Sequence, residues 1–320
     1  MAKIKAISYV TPENYLSNDE LVKEFKDWSA EKVTKKVGIT KRFVSGSNEL
    51  VSDLAVKAAE KLFSEHNINR GYIDLLILCT QSPDYALPTT ACIVQDKLKL
   101  STNCGSFDFN LGCSGYVYGL AIAKGFLKTN ISKNILLITS ETYTKYLSKD
   151  DKSNRAIFGD AASATLISND GIASIENFVL GSDGSGAENL IVRNSASKIE
   201  KDYGNKLFMN GPKIFEFTML KIPNLINEAL IKNNLDKNKI DLFVFHQANK
   251  FMLNHLRKKI GISENNFYIK MDEVGNTVSS TIPIALYHAI YDEKINTNDN
   301  VLIAGFGVGL SWGATVLKFQ

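Results

Sequence analysis

Short runs of apolar residues alternate along this chain with longer stretches whose apolar positions recur at three and four. The runs at 73–80 (IDLLILCT), 134–140 (NILLITS), 163–168 (SATLIS), 240–245 (IDLFVF) and 300–306 (NVLIAGF) predict strands, and 106–112 (SFDFNLG) alternates as a strand does. The helical spacing predicts helices over 50–65, 114–127, 214–232, 250–260 and 283–292. Strand and helix in alternation imply an α/β protein with a mainly parallel or mixed sheet covered by helices. The longest apolar runs, 75–79 and 135–138, fall far short of the roughly 18 residues that suggest a membrane span. The opening MAKIKAISYV lacks a signal-peptide apolar region. The expected location is therefore cytoplasmic, with no membrane partner.

The pattern occurs twice. Ile73-Asp74-Leu75 recurs as Ile240-Asp241-Leu242, and Asn134-Ile135-Leu136-Leu137-Ile138 is echoed by Asn300-Val301-Leu302-Ile303, at offsets of 167 and 166 residues. Two matches at nearly one offset predict two similar halves, 1–170 and 171–320, with a site assembled from both at their junction.

Composition narrows the function classes. The 320 residues are 44% hydrophobic and 22% charged, the balance of a globular protein with a substantial core. A net charge of +3 is too mild to imply a nucleic-acid partner, although it permits one local basic patch. The four cysteines (Cys79, Cys92, Cys104, Cys113) form no CxxC pair, and the four histidines (His66, His246, His255, His288) are scattered. Reduced thiols and no metal site are expected.

Cys113 is the candidate nucleophile. It follows the alternating segment SFDFNLG, is flanked by Gly112 and Gly115, and precedes a stretch that is apolar nearly all round. A thiol at the start of a buried helix meets free N–H groups and the positive end of the dipole, which favour the thiolate. Attack on a thioester gives a thioester of similar energy, so the acyl group stays activated. The alternative is a small buried hydrophobe, the reading kept for Cys79, Cys92 and Cys104. His246 stands just beyond a strand's carboxyl end, where α/β folds place chemistry, or where a structural hydrogen-bonder sits. Asn276 lies in the glycine turn EVGNTVSSTIP, where a plain turn role is the simpler alternative.

Taken together the segments resemble the ketoacyl-acyl-carrier-protein synthase III family of the thiolase superfamily. The motifs run in order through nearly the whole chain: GITKRF (38–43), SPDYALPTTACIVQ (82–95), GCSG around Cys113, FGDAASA (158–164), SDGSG (182–186), FHQAN around His246, GNTVSSTIP around Asn276 and GFGVGLSWGA (305–314). The resemblance implies a five-layered αβαβα thiolase-like fold of two pseudo-repeated halves, with the cysteine in the first half and the histidine and asparagine in the second. It implies that Cys113 takes an acyl group from an acyl-CoA or acyl-carrier protein. His246 and Asn276 then hold malonyl-acyl-carrier protein for decarboxylative condensation. The main-chain N–H groups of Cys113 and the Gly307-Val308-Gly309 loop hold the acyl oxygen, Val308 standing where the family usually has glycine. CoA or phosphopantetheine thioesters enter as substrates, no other cofactor is implied, and the assembly is a homodimer.

Several positions depart from the family. Lys32 and Lys36 stand where well-known members place a tryptophan and an arginine that grip CoA. Trp28, one helical turn earlier, is the candidate replacement if the local backbone differs, and a carrier protein is the alternative primer donor. Leu87 stands where a phenylalanine often reaches across the dimer to cap the acyl pocket, with Pro88 expected in the first turn of the next helix. Lys250, Arg257, Lys258 and Lys259 form a basic helix suited to an acidic carrier protein, or simply a solvated face. Glu216 replaces a lysine that often helps docking. Asp160 reads as a structural turn residue. Other functions on the same fold stay open: a non-condensing acyltransferase making esters or amides in surface-sugar or natural-product biosynthesis, and a hydroxymethylglutaryl-CoA synthase-like enzyme, which needs a glutamate base near Cys113. The sequence places no such base convincingly, although Glu141 follows a strand end. An inactive scaffold would be expected to lack Cys113 or His246.

Overall fold

The computed structural model describes residues 1–25 and 27–320. Its strands are β1 (Lys3–Val10), β2 (Tyr15–Ser17), β3 (Lys41–Phe43), β4 (Leu75–Cys79), β5 (Gly105–Phe109), β6 (Ile135–Glu141), β7 (Ala161–Ser168), β8 (Ala173–Ser182), β9 (Leu190–Val192), β10 (Leu207–Met209), β11 (Leu242–Phe245), β12 (Asn300–Gly307) and β13 (Ser311–Phe319). Its helices are α1 (Asn18–Glu24), α2 (Ala30–Val37), α3 (Val51–Glu65), α4 (Thr90–Lys97), α5 (Gly115–Lys128), α6 (Lys152–Arg155), α7 (Gly211–Lys232), α8 (Lys250–Ile260) and α9 (Thr281–Tyr291).

Nine strands form one continuous sheet in the order β11-β12-β13-β8-β1-β7-β6-β4-β5. It consists of two half-sheets, β1-β7-β6-β4-β5 and β8-β13-β12-β11, which meet where Lys3 and Ile4 of β1 pair with Ser174 and Ala173 of β8. Strand alternation sorts the side chains into layers. Leu76, Leu78, Leu136 and Ile138 point to an outer face covered by α3 and α4. Leu75, Ile77, Ile135 and Leu137 point inward to α5 and α9, whose other side is met by Val244, Val301 and Ile303 of the second half-sheet. Phe243, Phe245 and Leu302 face outward to α7 and α8. The result is αβαβα. Both central helices are sandwiched between sheets, which is why α5 and α9 are apolar nearly all round.

The sequence echo has a structural cause. β4 pairs in parallel with β6 and β11 pairs in parallel with β12. At the start of each pair an aspartate fixes the register. Asp74 accepts from the N–H groups of Lys133 and Asn134 at 2.7 and 3.1 Å, and Asp241 accepts from that of Asn300 at 2.8 Å. The repeat is incomplete at one edge. Where the first half has β5, the second has, among the described residues, only an isolated bridge from Phe243 to Phe267.

Three long strands were not marked by apolar runs. β1 alternates as KIKAISYV, β8 carries Glu176 and Asn177, and β13 is broken up by Gly313 and Thr315. Pro88 is not in a helix. α4 begins at Thr90, because the Asp108 carboxylate of β5 caps the N–H groups of Thr90 and Ala91 there. Asp160 holds a turn, as the sequence suggested: its carboxylate accepts from Ser45 N at 2.8 Å and Thr144 N at 2.9 Å.

Candidate active site

The turn between β5 and α5 carries Cys113. The Gly115 N–H closes the turn on Gly112 O at 2.7 Å, and the helix starts immediately after. The thiol presses against β12 so closely that a Cβ on Gly307 would lie 2.8 Å from its sulfur, and one on Gly305 would lie 2.6 Å from the Cys113 carbonyl. Glycine at 305 and 307 is therefore a requirement of this approach. Ser311 Oγ donates to Val308 O at 2.8 Å and so orients the next peptide, and the Val308 main chain pulls the pKa of the Cys113 thiol downward. Burial nevertheless wins: it raises the Cys113 thiol to about 12, outweighing the N–H contacts. The expectation that the helix start alone would favour the thiolate is thus corrected.

His246 follows β11 directly, and its neighbours explain the HQAN motif. Gln247 is buried and ties Phe245 O to Lys270 N, while Asn249 caps α8 through Met252 N at 2.8 Å. The imidazole is held from two sides. Phe306 stands edge-on at 5.9 Å between ring centroids, and Thr281 Oγ1 lies 2.7 Å from Nδ1. Thr281 Oγ1 is also 3.1 Å from Val278 O, so its single proton decides the tautomer. Given to Nδ1, it leaves the ring hydrogen on Nε2. Burial lowers His246 to about 3, so the ring is neutral at ordinary pH.

Asn276 arrives on the loop before α9. Its backbone is clamped to the FGD turn, donating to Ile157 O at 2.9 Å and accepting from Gly159 N at 3.0 Å. Its Oδ1 accepts from Val278 N at 2.9 Å, which leaves the side-chain N–H groups as donors. Val278 takes φ of 55°, a left-handed conformation costly for a β-branched residue and held here by the buried turn.

Cys113, His246, Asn276 and Gly307 line one cleft of about 790 Å3 together with residues of both halves. Phe158, Leu190, Met209, Ile214, Phe215 and Phe306 make its inner wall largely apolar, whereas Trp28 and Lys36 stand on its rim. Among the described residues no group of three or more His, Cys, Asp or Glu is placed to hold a metal ion, and no helix is long and apolar enough to cross a membrane.

Residues 107–184 match the family described as 3-Oxoacyl-[acyl-carrier-protein (ACP)] synthase III, and residues 230–319 match its C-terminal part. Beta-ketoacyl-[acyl-carrier-protein] synthase III of Clostridium perfringens (strain ATCC 13124) is 36% identical over 323 residues, covering 99% of each chain. That of Clostridioides difficile (strain 630) is 37% identical over 324 residues, covering 99% of this chain and 98% of the relative. The chain belongs to the 3-oxoacyl-acyl-carrier-protein synthase III family. Solved structures agree. One 3-oxoacyl-(acyl-carrier-protein) synthase III superposes with a TM-score of 0.94 at 40% identity, covering 99% of both chains. The enzyme from Thermus thermophilus gives 0.92 at 31%, with the same coverage. The protein is thus a thiolase-like condensing enzyme of the acyltransferase class.

The synthase III family pattern sets the remaining residues in context. Trp28 precedes α2, whose N-cap is Ser29, and reaches the cleft; Lys152 Nζ lies 5.2 Å above its ring. Lys36 also lines the cleft, whereas Lys32 points to solvent and does not. Leu87 is 83% exposed and lies outside the cleft of its own chain. Lys250, Lys258 and Lys259 are exposed on α8. Arg257 is turned inward: it donates to Ile262 O at 3.2 Å and pairs with Glu264 at 3.5 Å, so it closes the end of α8 and is not a free docking charge. Glu216 pairs with Lys213 at 2.9 Å. Glu141 is fully buried and does not line the cleft, so it is not placed as a general base open to substrate. Sequence reading missed Phe306 and Thr281 as partners of His246. Both lie within family motifs, but only the packing of β12 and α9 against β11 brings them to the ring.

Proposed function

We propose that the protein condenses an acyl primer with malonyl-acyl-carrier protein, the acyl group being carried on Cys113. The observation that carries the reading is the convergence of a buried thiol, a neutral imidazole and a free carboxamide on one largely apolar cleft. Cys113 attacks the primer thioester, the carbon–sulfur bond to the carrier breaks, and the thiol proton leaves on the departing carrier thiol. The developing oxyanion is held by the N–H groups of Cys113 and Val308. With the Thr281 proton turned from Val278 O to His246 Nδ1, His246 Nε2–H and the Asn276 amide then hold the malonyl thioester oxygen. Carbon dioxide leaves, the enolate carbon bonds the acyl carbon as the bond from that carbon to the Cys113 sulfur breaks, and the released Cys113 thiolate takes a proton from water. The two halves, 1–170 and 171–320, supply the nucleophile and the donors respectively. The chemistry uses thioester substrates and no further cofactor, and the protein works in the cytoplasm.

Intact-protein mass spectrometry after incubation with a panel of acyl-CoAs and acyl-carrier proteins tests this. An acyl mass gain confined to Cys113 supports it. Loading without decarboxylation of malonyl thioester would favour plain acyl transfer to an oxygen or nitrogen nucleophile.

The preferred primer carrier is CoA, because the Trp28 ring and the cations Lys36 and Lys152 can stack a planar base and attract phosphate. Trp28→Ala is expected to raise KM for acyl-CoA roughly tenfold with kcat little changed, the scale of one lost base stack. An unchanged KM would point to an acyl-carrier protein as the donor. Lys250, Lys258 and Lys259 supply the docking charge for an acidic carrier.

The assembly is proposed to be a homodimer paired through β5, which ends the sheet and pairs only with β4 among the described residues. Leu87 then reaches the partner's acyl pocket. Leu87→Phe should shorten the preferred acyl chain and Leu87→Ala should admit longer ones, a graded change of about 1–3 kcal/mol per methylene contact. Chain-length profiles with purified dimer decide it; a monomer by light scattering removes the across-dimer role.

A further inference from the structure

Behind the nucleophile lies a carboxyl group that the reaction above does not use. Glu141 ends β6, has no exposed surface, and forms no ion pair within 4 Å among the described residues. Its oxygens meet Gln81 N at 3.2 Å, Ser82 Oγ at 2.8 Å and Ser279 Oγ at 3.0 Å. Those contacts run to both catalytic loops. Ser279 belongs to the turn that follows Asn276, and a Cβ on Gly115 would touch it at 3.6 Å. The Gln81 side chain lies against Gly112, where a Cβ would come 2.4 Å from its Oε1, and donates to Asn110 at 3.0 Å. One carboxyl group thus joins the Asn276 turn to the Cys113 turn from below.

We propose that Glu141 is a positioning residue that works as an uncharged carboxylic acid, holding the Cys113 and Asn276 turns in register, and that its ionisation opposes that of Cys113. An acid group without a cationic partner is costly to charge in a buried site, whereas the neutral form keeps one oxygen to accept and one O–H to give. The groups that face it are of one kind. They are Asp160 before β7, Cys79 on β4, Cys113 before α5, and Tyr143 and Tyr146 after β6; each is neutral or negative, and none is a cation. Burial raises Glu141 to about 8, against the pull of its hydroxyl and N–H contacts. Cys113, raised first by burial, is raised again by a charge on Glu141. Two negative charges in one dry pocket disfavour each other. As pH rises past about 8, Glu141 loses its proton and holds back the Cys113 thiolate; below that pH it does not.

The inference rests on reading Cys113 as the acyl carrier, and the two can fail separately. Iodoacetamide alkylation of Cys113, followed by peptide mass spectrometry so that exposed Cys92 does not interfere, needs no acyl donor and reads Glu141 alone. Glu141→Gln keeps the size and one accepting oxygen, offers N–H groups to the other serine hydroxyl, and cannot ionise. Its alkylation profile should match wild type at neutral pH and rise above it past pH about 8, by roughly tenfold for one unit of coupling. Its malonyl decarboxylation at neutral pH should stay near wild type, while Glu141→Ala, which cuts the link between the turns, should lose roughly tenfold or more. A glutamate that merely supports the fold would change melting temperature without moving the pH profile. Coincident profiles over the whole range in folded Glu141→Gln would overturn the proposal, as would wild-type decarboxylation in Glu141→Ala.

Discussion

Cys113→Ala abolishes acyl-enzyme formation, while alanine at Cys79, Cys92 or Cys104 leaves loading intact. Only Cys113 opens on the cleft that holds His246 and Asn276. Cys79 is wholly buried, its thiol donating to Leu111 O at 3.0 Å, and burial raises it well above the ordinary thiol range. Cys104 is buried on the outer side of the first half-sheet, and Cys92 is exposed on α4. Each lacks the N–H groups of the Val308 loop. Loss at Cys113 should be complete, because no other group near the cleft can form a thioester. Intact-mass measurement with excess primer checks it; a stable acyl group on any other cysteine would sink the assignment.

His246→Ala and Asn276→Ala should still load the primer but lose decarboxylation of malonyl thioester by roughly two or more orders of magnitude. Their donors are fixed before substrate arrives: the ring by Phe306 and Thr281, the carboxamide by its oxygen's bond to Val278 N. A preorganised donor stabilises the enolate without reorganising, which is why removing one costs so much. Because the two donors serve one oxygen, the double variant should lose less than the product of the single losses. Neutral His246 donates without titrating above pH about 3, so decarboxylation should show no ionisation of this ring near pH 6 to 7. Carbon dioxide release at the wild-type rate in both single variants would remove the condensing role.

The sequence by itself determined the alternation of strands and helices and singled out Cys113, His246 and Asn276 as candidates. Its apolar periods marked the central strands and helices, because those segments are buried on two sides and have no alternative to continuous hydrophobicity. The Ile-Asp-Leu echo showed the duplication because one aspartate performs the same register-fixing job twice. Cys113, His246 and Asn276 were legible since each sits in a turn whose glycines, caps and neighbours are dictated locally. What lies between the segments was decided only by tertiary structure. β1 and β8, which join the halves, alternate like ordinary surface strands, and only their pairing shows that they are central. The direction of the Cys113 shift also escaped sequence reading. A helix start favours the thiolate, but the depth of burial beneath β12 depends on two glycines 192 and 194 residues away. Arg257 read as a docking charge until its side chain was seen closing α8, because composition cannot tell a solvated cation from one turned inward. Glu141, 28 residues beyond Cys113, becomes its neighbour only when β6 is laid beside β4, since distance along the chain says nothing about distance across a parallel sheet.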